Sequence, residues 1–215
     1  MIRLGAGPLD GIVAVGAHCD DIAIGAGGTL LTICLARPGI RVDALVLSGG
    51  GSEREQEERA ALAAFCPGAD LRLTVLKLPD GRMPAYWSEA KAAVEELRAQ
   101  TDPGLVLAPR TEDAHQDHRG LAKLMSTAFR DHLVLGYEIA KWDGDLGRPA
   151  AYQPLSPETA ERKVRLLQEH YPSQQHRPWY DREAFLGLAR IRGIECHARY
   201  AEAFAVTKLT LDLGE

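Results

Sequence analysis

The sequence predicts an α/β fold of the Rossmann-like, doubly wound kind: a mainly parallel sheet with helices on both faces and a C-terminal helical extension. Three observations carry that expectation. Short strand-like runs alternate with helical segments from Gly11 to Ile139, the pattern of a parallel sheet. The runs at 11–15 and 42–47 are short and largely apolar, as in strands covered on both faces. Breakers such as Pro38-Gly39 and Pro67-Gly68 fall where helices should stop.

In chain order, Gly-Ile-Val-Ala-Val at 11–15 reads as the first strand. A loop and helix follow over 22–35, rich in Gly, Ala and Leu. Val42 to Leu47 is the second strand, ending in Ser48-Gly49-Gly50-Gly51-Ser52, and Glu53 to Phe65 a charged amphipathic helix. Leu71 to Leu78 is the third strand and Ser88 to Gln100 the next helix. Leu105 to Ala108 is the fourth strand, followed by a helix from about Gly120 to Arg130 and a fifth strand over 133–139. Beyond Asp143 the pattern turns helical. Ser156-Pro157 supplies an N-cap and first-turn proline for a helix ending before Pro172. Another helix runs from Asp181 to Arg192, closed by Gly193, and a short strand carries Phe204 and Val206. The expectation is a single domain over 1–215, with residues from about 144 onward packed on it.

Composition narrows the function. A net charge of −5, with no basic stripe, argues against a nucleic-acid partner. No apolar run is long enough to span a bilayer, and the N-terminus lacks the pattern of a signal peptide. Cys19, Cys34, Cys66 and Cys196 show no paired spacing, so neither a disulfide framework nor a zinc ribbon is indicated. The expected compartment is the cytoplasm, and the chain is compatible with a homo-oligomer.

Two polar clusters interrupt this apolar pattern: Ala17-His18-Cys19-Asp20-Asp21 and His115-Gln116-Asp117-His118. Ligands of an open doubly wound sheet bind outside the carboxyl ends of strands, where strand order reverses. For the order 3-2-1-4-5 that crevice lies between strands one and four, and one cluster follows each. Imidazoles and carboxylates gathered there suit a catalytic Zn²⁺ with an open position for water, and Fe²⁺, Mn²⁺ or Co²⁺ are chemically admissible alternatives. The Gly25–Gly28 stretch lacks the spacing of a dinucleotide fingerprint. It is expected to serve close helix packing.

Ala-His-Cys-Asp-Asp followed by Ile-Ala-Ile-Gly-Ala-Gly-Gly, with the later His-Gln-Asp-His, resembles the PIG-L/LmbE-like zinc de-N-acetylases. Arg54 and Glu57, Leu78-Pro79-Asp80-Gly81, Ser173-Gln174 and Tyr200 to Phe204 agree with it, so the resemblance spans roughly residues 11 to 206. It implies His18, Asp21 and His118 as metal ligands and Asp20 as general base. It further implies His115 as the group that stabilises the oxyanion and protonates the amine, with Asp117 orienting His115. Arg54 and Asp80 match substrate-contacting positions. The implied substrate is a small N-acetylglucosamine-type glycoconjugate. Cys19 stands where the family has proline; a thiolate ligates zinc, but the ligand set is complete without it.

Overall fold

The structure is a computed structural model and describes residues 9–210. Its strands are β1 (Gly11–Gly16), β2 (Arg41–Ser48), β3 (Asp70–Leu78), β4 (Leu105–Pro109), β5 (Val134–Tyr137), β6 (Ala151–Leu155) and β7 (Tyr200–Val206). They form one sheet in the order β3-β2-β1-β4-β5-β7-β6. The first five are mutually parallel, whereas β7 runs antiparallel to both β5 and β6. The order expected from sequence is therefore found, with β1 between β2 and β4.

The helices are α1 (Asp21–Ala36), α2 (Glu53–Phe65), α3 (Trp87–Gln100), α4 (Gln116–Ala128), α5 (Pro157–His170) and α6 (Arg182–Glu195). Side chains alternate across a strand, and β1 divides accordingly. Ile12 and Ala14 join the core beneath α1, α2, α5 and α6, while Val13 and Val15 join the one beneath α3 and α4. Leu105 and Leu107 against Val106 and Ala108 of β4 repeat the split. Both central strands are thus buried on two faces, which is why their sequence runs are continuously apolar.

Three elements differ from the sequence expectation. The C-terminal part is not only helical: β6 completes the sheet edge, with Gln153 paired to Glu202 and Pro154 to Ala201 of β7. Its polar residues and proline are those an edge strand tolerates, so it carries no apolar signal. Helix α4 starts at Gln116, one turn earlier than expected, because the His115 ring caps it by accepting the Asp117 N–H at 3.2 Å. Helix α6 continues through Gly193 to Glu195. A Cβ at Gly193 would stand 2.7 Å from the Arg199 backbone, so this glycine lets the chain double back tightly into β7.

Helix α1 is buried along most of its length, and its glycines are packing positions. A Cβ on Gly25 would lie 2.1 Å from the Tyr137 ring, which crosses beneath it to donate its hydroxyl to the Val15 carbonyl at 2.6 Å. Farther along, Glu202 of β7 accepts the N–H groups of Gly28 and Thr29, both at 2.7 Å. Lys163 of α5 donates to the Ile24 carbonyl and to Glu202, both at 2.6 Å. This buried ion pair ties α1, α5 and β7 together with its polar atoms satisfied.

Gly25→Ala is expected to displace Tyr137 and cost about 1–3 kcal/mol of stability, the range for an overpacked core. Urea unfolding of the variant against wild type checks this, and an unchanged midpoint would contradict the packing role.

Candidate metal centre and active-site crevice

The parallel pairing of β1 with β4 sets Ile12 against Leu105 and Ala14 against Leu107. The two chains leave the sheet side by side at their carboxyl ends. His18 and His118, a hundred residues apart, thereby meet with Nδ1 and Nε2 at 3.1 Å. Asp21 Oδ2 stands 3.5 Å from His18 Nδ1 and 3.3 Å from His118 Nε2. Ligands of a tetrahedral zinc, bound at about 2.0–2.2 Å, lie roughly 3.3–3.6 Å from one another. The two separations from Asp21 fall in that range and the His18–His118 separation just below it, so a small outward shift of one ring would seat such an ion.

The electrostatics favour a cation there. Burial opposes charge on His18, yet the Asp21 carboxylate and the hydrogen bonds that the ring donates to Asp117, Asp21 and Asp80 hold its pKa well above the usual imidazole value. Burial likewise opposes charge on His118, but Asp21 and Asp113 bring its pKa up to about 9. Asp21 is pushed up by burial and down by His118 and His18, and the imidazoles win, leaving it well below the usual carboxylate range. Asp113 sits behind His118, Oδ1 to Nδ1 at 3.0 Å. This carboxylate–histidine contact fixes the ring and leaves Nε2 facing the site.

Asp20 and Asp21 diverge despite adjacency. Asp20 has a left-handed backbone, φ 101°, a conformation that costs a non-glycine residue about 1–3 kcal/mol and gathers at functional sites. Its N–H donates to Glu58 Oε2 at 2.8 Å, and its carboxylate pairs with Arg54 Nη2 at 3.1 Å. Burial drives its pKa up to about 7 against the pull of Arg54. Arg54 also donates to the Cys19 carbonyl and lies 3.5 Å from Glu57.

His115 packs edge-on to His18, ring centroids 4.8 Å apart, and its nitrogen comes within 4.8 Å of those of His18 and His118. With Nδ1 accepting from the α4 backbone, a neutral His115 carries its proton on Nε2. Burial and the neighbouring His118 and His18 hold its pKa below the usual value, so it is neutral at pH 7 and faces the crevice as a donor.

The structure corrects one assignment and places the others. The Asp117 carboxylate does not hold the His115 ring. It lies 3.3 Å from His18 Nε2 and accepts the N–H groups of Gly81 and Met83 at 2.8 and 3.1 Å. Position explains this: as the second residue of α4, Asp117 points toward the β3 loop while His115 caps from outside. That loop brings Asp80 Oδ1 to 3.0 Å from His18 Nε2, so His18, Asp80 and Asp117 form a second convergent group. Cys19 is buried and turned away, its thiol on the Ser48 carbonyl at 3.5 Å. Burial and Glu58 raise its pKa. The Ser48–Ser52 loop braces this turn, with Ser48 Oγ donating to the Ala17 carbonyl at 2.8 Å.

These groups open into a cavity of about 280 Å³ that Lys141, Trp142, Gln174, Arg177 and Trp179 also line. Sequence reading missed the roles of Asp113 and Glu58 and did not place Lys141 or Arg177 at the site. Glu58 follows Arg54 by one helical turn, on the same face, but a charge run reads as solvated. Its Oε2 accepts from Asp20 N–H and from the Tyr171 hydroxyl at 2.7 Å, while among the described residues Oε1 has no partner. Burial pushes its pKa up to about 8. Glu57 accepts from the Ser173 N–H and hydroxyl at 2.8 and 2.6 Å. Among the described residues, no helix is long and apolar enough to cross a membrane.

Comparison with known proteins agrees with this geometry. Residues 13–129 match the family model described as PIG-L: GlcNAc-PI de-N-acetylase. An "uncharacterized deacetylase YaiS" of Escherichia coli is 29% identical over 173 residues, covering 74% of this chain and 90% of that protein. The N,N'-diacetylchitobiose deacetylase of Pyrococcus horikoshii superposes with a TM-score of 0.71 at 19% identity, over 93% of this chain and 84% of the other. GalB, the 4-carboxy-2-hydroxymuconate hydratase of Pseudomonas putida, reaches 0.73 at 17% identity, over 95% and 100%. At these identities the solved structures share the fold alone.

Because His118 titrates near pH 9 in the metal-free protein, ligation at pH 7 must expel a proton. Zinc calorimetry in buffers of differing ionisation enthalpy should show release of roughly one proton or more, with affinity rising toward pH 9; proton-neutral binding would contradict the site. Glu58 supplies a second readout. Its folded pKa near 8 exceeds the unfolded value of 4.5, so the folded state binds the extra proton and stability falls as pH rises from 4.5 to 8. Glu58→Gln should flatten that slope in urea unfolding, and an unaltered slope would refute it.

Proposed function

The chain belongs to the PIG-L, GlcNAc-PI de-N-acetylase family, and from that premise we propose that it is a metal-dependent hydrolase removing the N-acetyl group from an N-acetylglucosamine-type conjugate. The observation that carries this reading is the convergence of His18, Asp21 and His118 at 3.1–3.5 Å beside a second, independent carboxylate, Asp20. His18 Nδ1, Asp21 and His118 Nε2 would hold Zn²⁺. When bound, the ion would acidify a water and polarise the acetyl carbonyl.

The chain's own residues divide the remaining work. Asp20 takes the proton of the attacking water. A base is most effective with a pKa near the working pH, and burial against Arg54 supports one near 7 for Asp20. His115 offers its Nε2–H to the oxygen that gains charge as the carbonyl carbon becomes tetrahedral, a donor preorganised by the α4 backbone bond to its Nδ1. The proton that Asp20 took from the water then passes to the departing amine, because a neutral His115 that gave up its Nε2 hydrogen would be left as an imidazolate. Asp117 and Asp113 act through other residues. Asp117 joins the β3 loop to His18, and Asp113 holds the ring of His118. Arg54 and Asp80 line the crevice, where both can meet the sugar hydroxyls.

A reading as a nucleotide-binding module finds no support in the Gly25–Gly28 stretch, which lies inside α1 and is buried. An amidase or esterase acting on a non-sugar substrate shares the same machinery and is separated by substrate panel.

Zinc-loaded protein should release acetate from N-acetylglucosaminides, while chelated protein should not. Asp20→Asn should lose about 10²–10⁴-fold in kcat with zinc stoichiometry retained. Near-full activity of that variant at saturating zinc would remove Asp20 as the base.

A further inference from the structure

Three long cationic side chains line the crevice, and two are committed. Arg54 is held by Asp20 and Glu57. The Lys141 ammonium lies among Asp113, Asp145 and Asp143 at 3.1, 3.3 and 3.5 Å. Arg177 differs. Its Nε donates to Gln174 Oε1 at 2.7 Å, and among the described residues no carboxylate lies within 4.0 Å of its guanidinium.

The anchor behind it is built. Gln174 is 4% exposed, and its Nε2 contacts Ser173 Oγ at 2.9 Å, which in turn donates to Glu57 Oε2 at 2.6 Å. The guanidinium is thus fixed through one nitrogen to the body of the protein, leaving its terminal fork free. A preorganised planar fork is the geometry that binds carboxylate or phosphate through paired, charge-assisted hydrogen bonds. Two residues on, Trp179 lines the same cavity, and among the described residues its buried indole N–H has no partner. Buried indole donors ordinarily find one. Trp142 meets that indole edge to face, centroids 6.2 Å apart. Nearby acidic groups do not compete, since Asp20 faces Arg54 and Asp143 faces Lys141.

We propose that Arg177, braced by Gln174 and joined by Trp179, is an anion-recognition subsite, so that the substrate carries a carboxylate or phosphate on the part remote from its acetamide. This deepens the deacetylase reading and rests on it. A substrate with its acetamide at the His18–Asp21–His118 group lies in the same cavity that Arg177 and Trp179 line, where the Arg177 fork would receive the anionic oxygens.

The test is calorimetric binding to zinc-loaded protein, with acetate release recorded on the same samples. The probes are N-acetylglucosamine 1-phosphate, carboxymethyl N-acetylglucosaminide and methyl N-acetylglucosaminide. At least one anionic probe should bind about tenfold tighter than the methyl glycoside, a modest value for a charge-assisted pair. The larger gain tells phosphate from carboxylate. R177M should bring the ratio to about one. Raising NaCl from about 0.05 to 0.5 M should weaken the anionic probe selectively, a readout that needs no variant. Equal binding of charged and neutral probes, or a ratio that survives in R177M, would overturn the subsite. The expected ranking with no acetate released would sink the deacetylase reading and leave the subsite standing.

Discussion

Asp21 Oδ2 accepts the backbone N–H groups of Ala17 and His18, both at 2.9 Å, while facing His118 Nε2 and His18 Nδ1 at 3.3 and 3.5 Å. One oxygen closes the turn that leaves β1 and joins it to the turn that leaves β4. Were Asp21 neutral, the turn would lose its acceptor and the imidazoles their counter-charge together. The surrounding donors outweigh the burial of this carboxylate, so it stays ionised. Its neighbour Asp20 turns the other way because of its left-handed backbone, and that strain is offset by the Asp20 N–H bond to Glu58. Two adjacent aspartates thereby acquire opposite proton affinities, the arrangement from which distinct chemical roles arise.

The Glu58 bond makes the centre depend on elements far along the chain. The Oε2 that receives Asp20 N–H also receives the Tyr171 hydroxyl, from the end of α5. Glu57 fastens Ser173, and Glu202 fastens β7 to α1. Glu57 and Glu202 are buried carboxylates saturating hydroxyls and backbone N–H groups, a high-stakes use of polarity that specifies one arrangement when satisfied, whereas Glu58 accepts through Oε2 and is held in its protonated form by burial. The C-terminal part therefore does more than cover the sheet. It holds the helix whose N-terminal residue is Asp21, and it contributes Gln174, Arg177 and Trp179 to the crevice.

How far these features were legible follows from the range of the interactions. The topology could be read because apolar runs report two-sided burial, and the switch point between β1 and β4 then follows from connectivity alone. The residues of the two polar clusters were legible for the same reason. Strand β6 was not, since an edge strand paired on one side needs no apolar run. Nor were the partners of Asp117 and Glu58, because spacing within a helix says nothing of what crosses from another element. The capping of α4 by His115 escaped too: histidine is not among the usual N-cap residues, and here its ring serves as cap and crevice donor together.

The likeness to both a deacetylase and a hydratase bears on where the chemistry resides. A shared sheet supplies a place at the strand ends and no reaction. Reaction class must come from the protons available there. The proposed amide hydrolysis needs a base that can take a proton and return it to the departing nitrogen, and a donor for the oxygen that gains charge. Asp20, buried against Arg54, suits the first demand, and His115, whose Nδ1 is taken by the α4 backbone so that Nε2 keeps its hydrogen, suits the second, from different strand ends. The backbone bond that caps α4 is thus also what selects the tautomer. A substitution that shifted the start of this helix by one residue would alter the proton inventory of the crevice without touching a ligand.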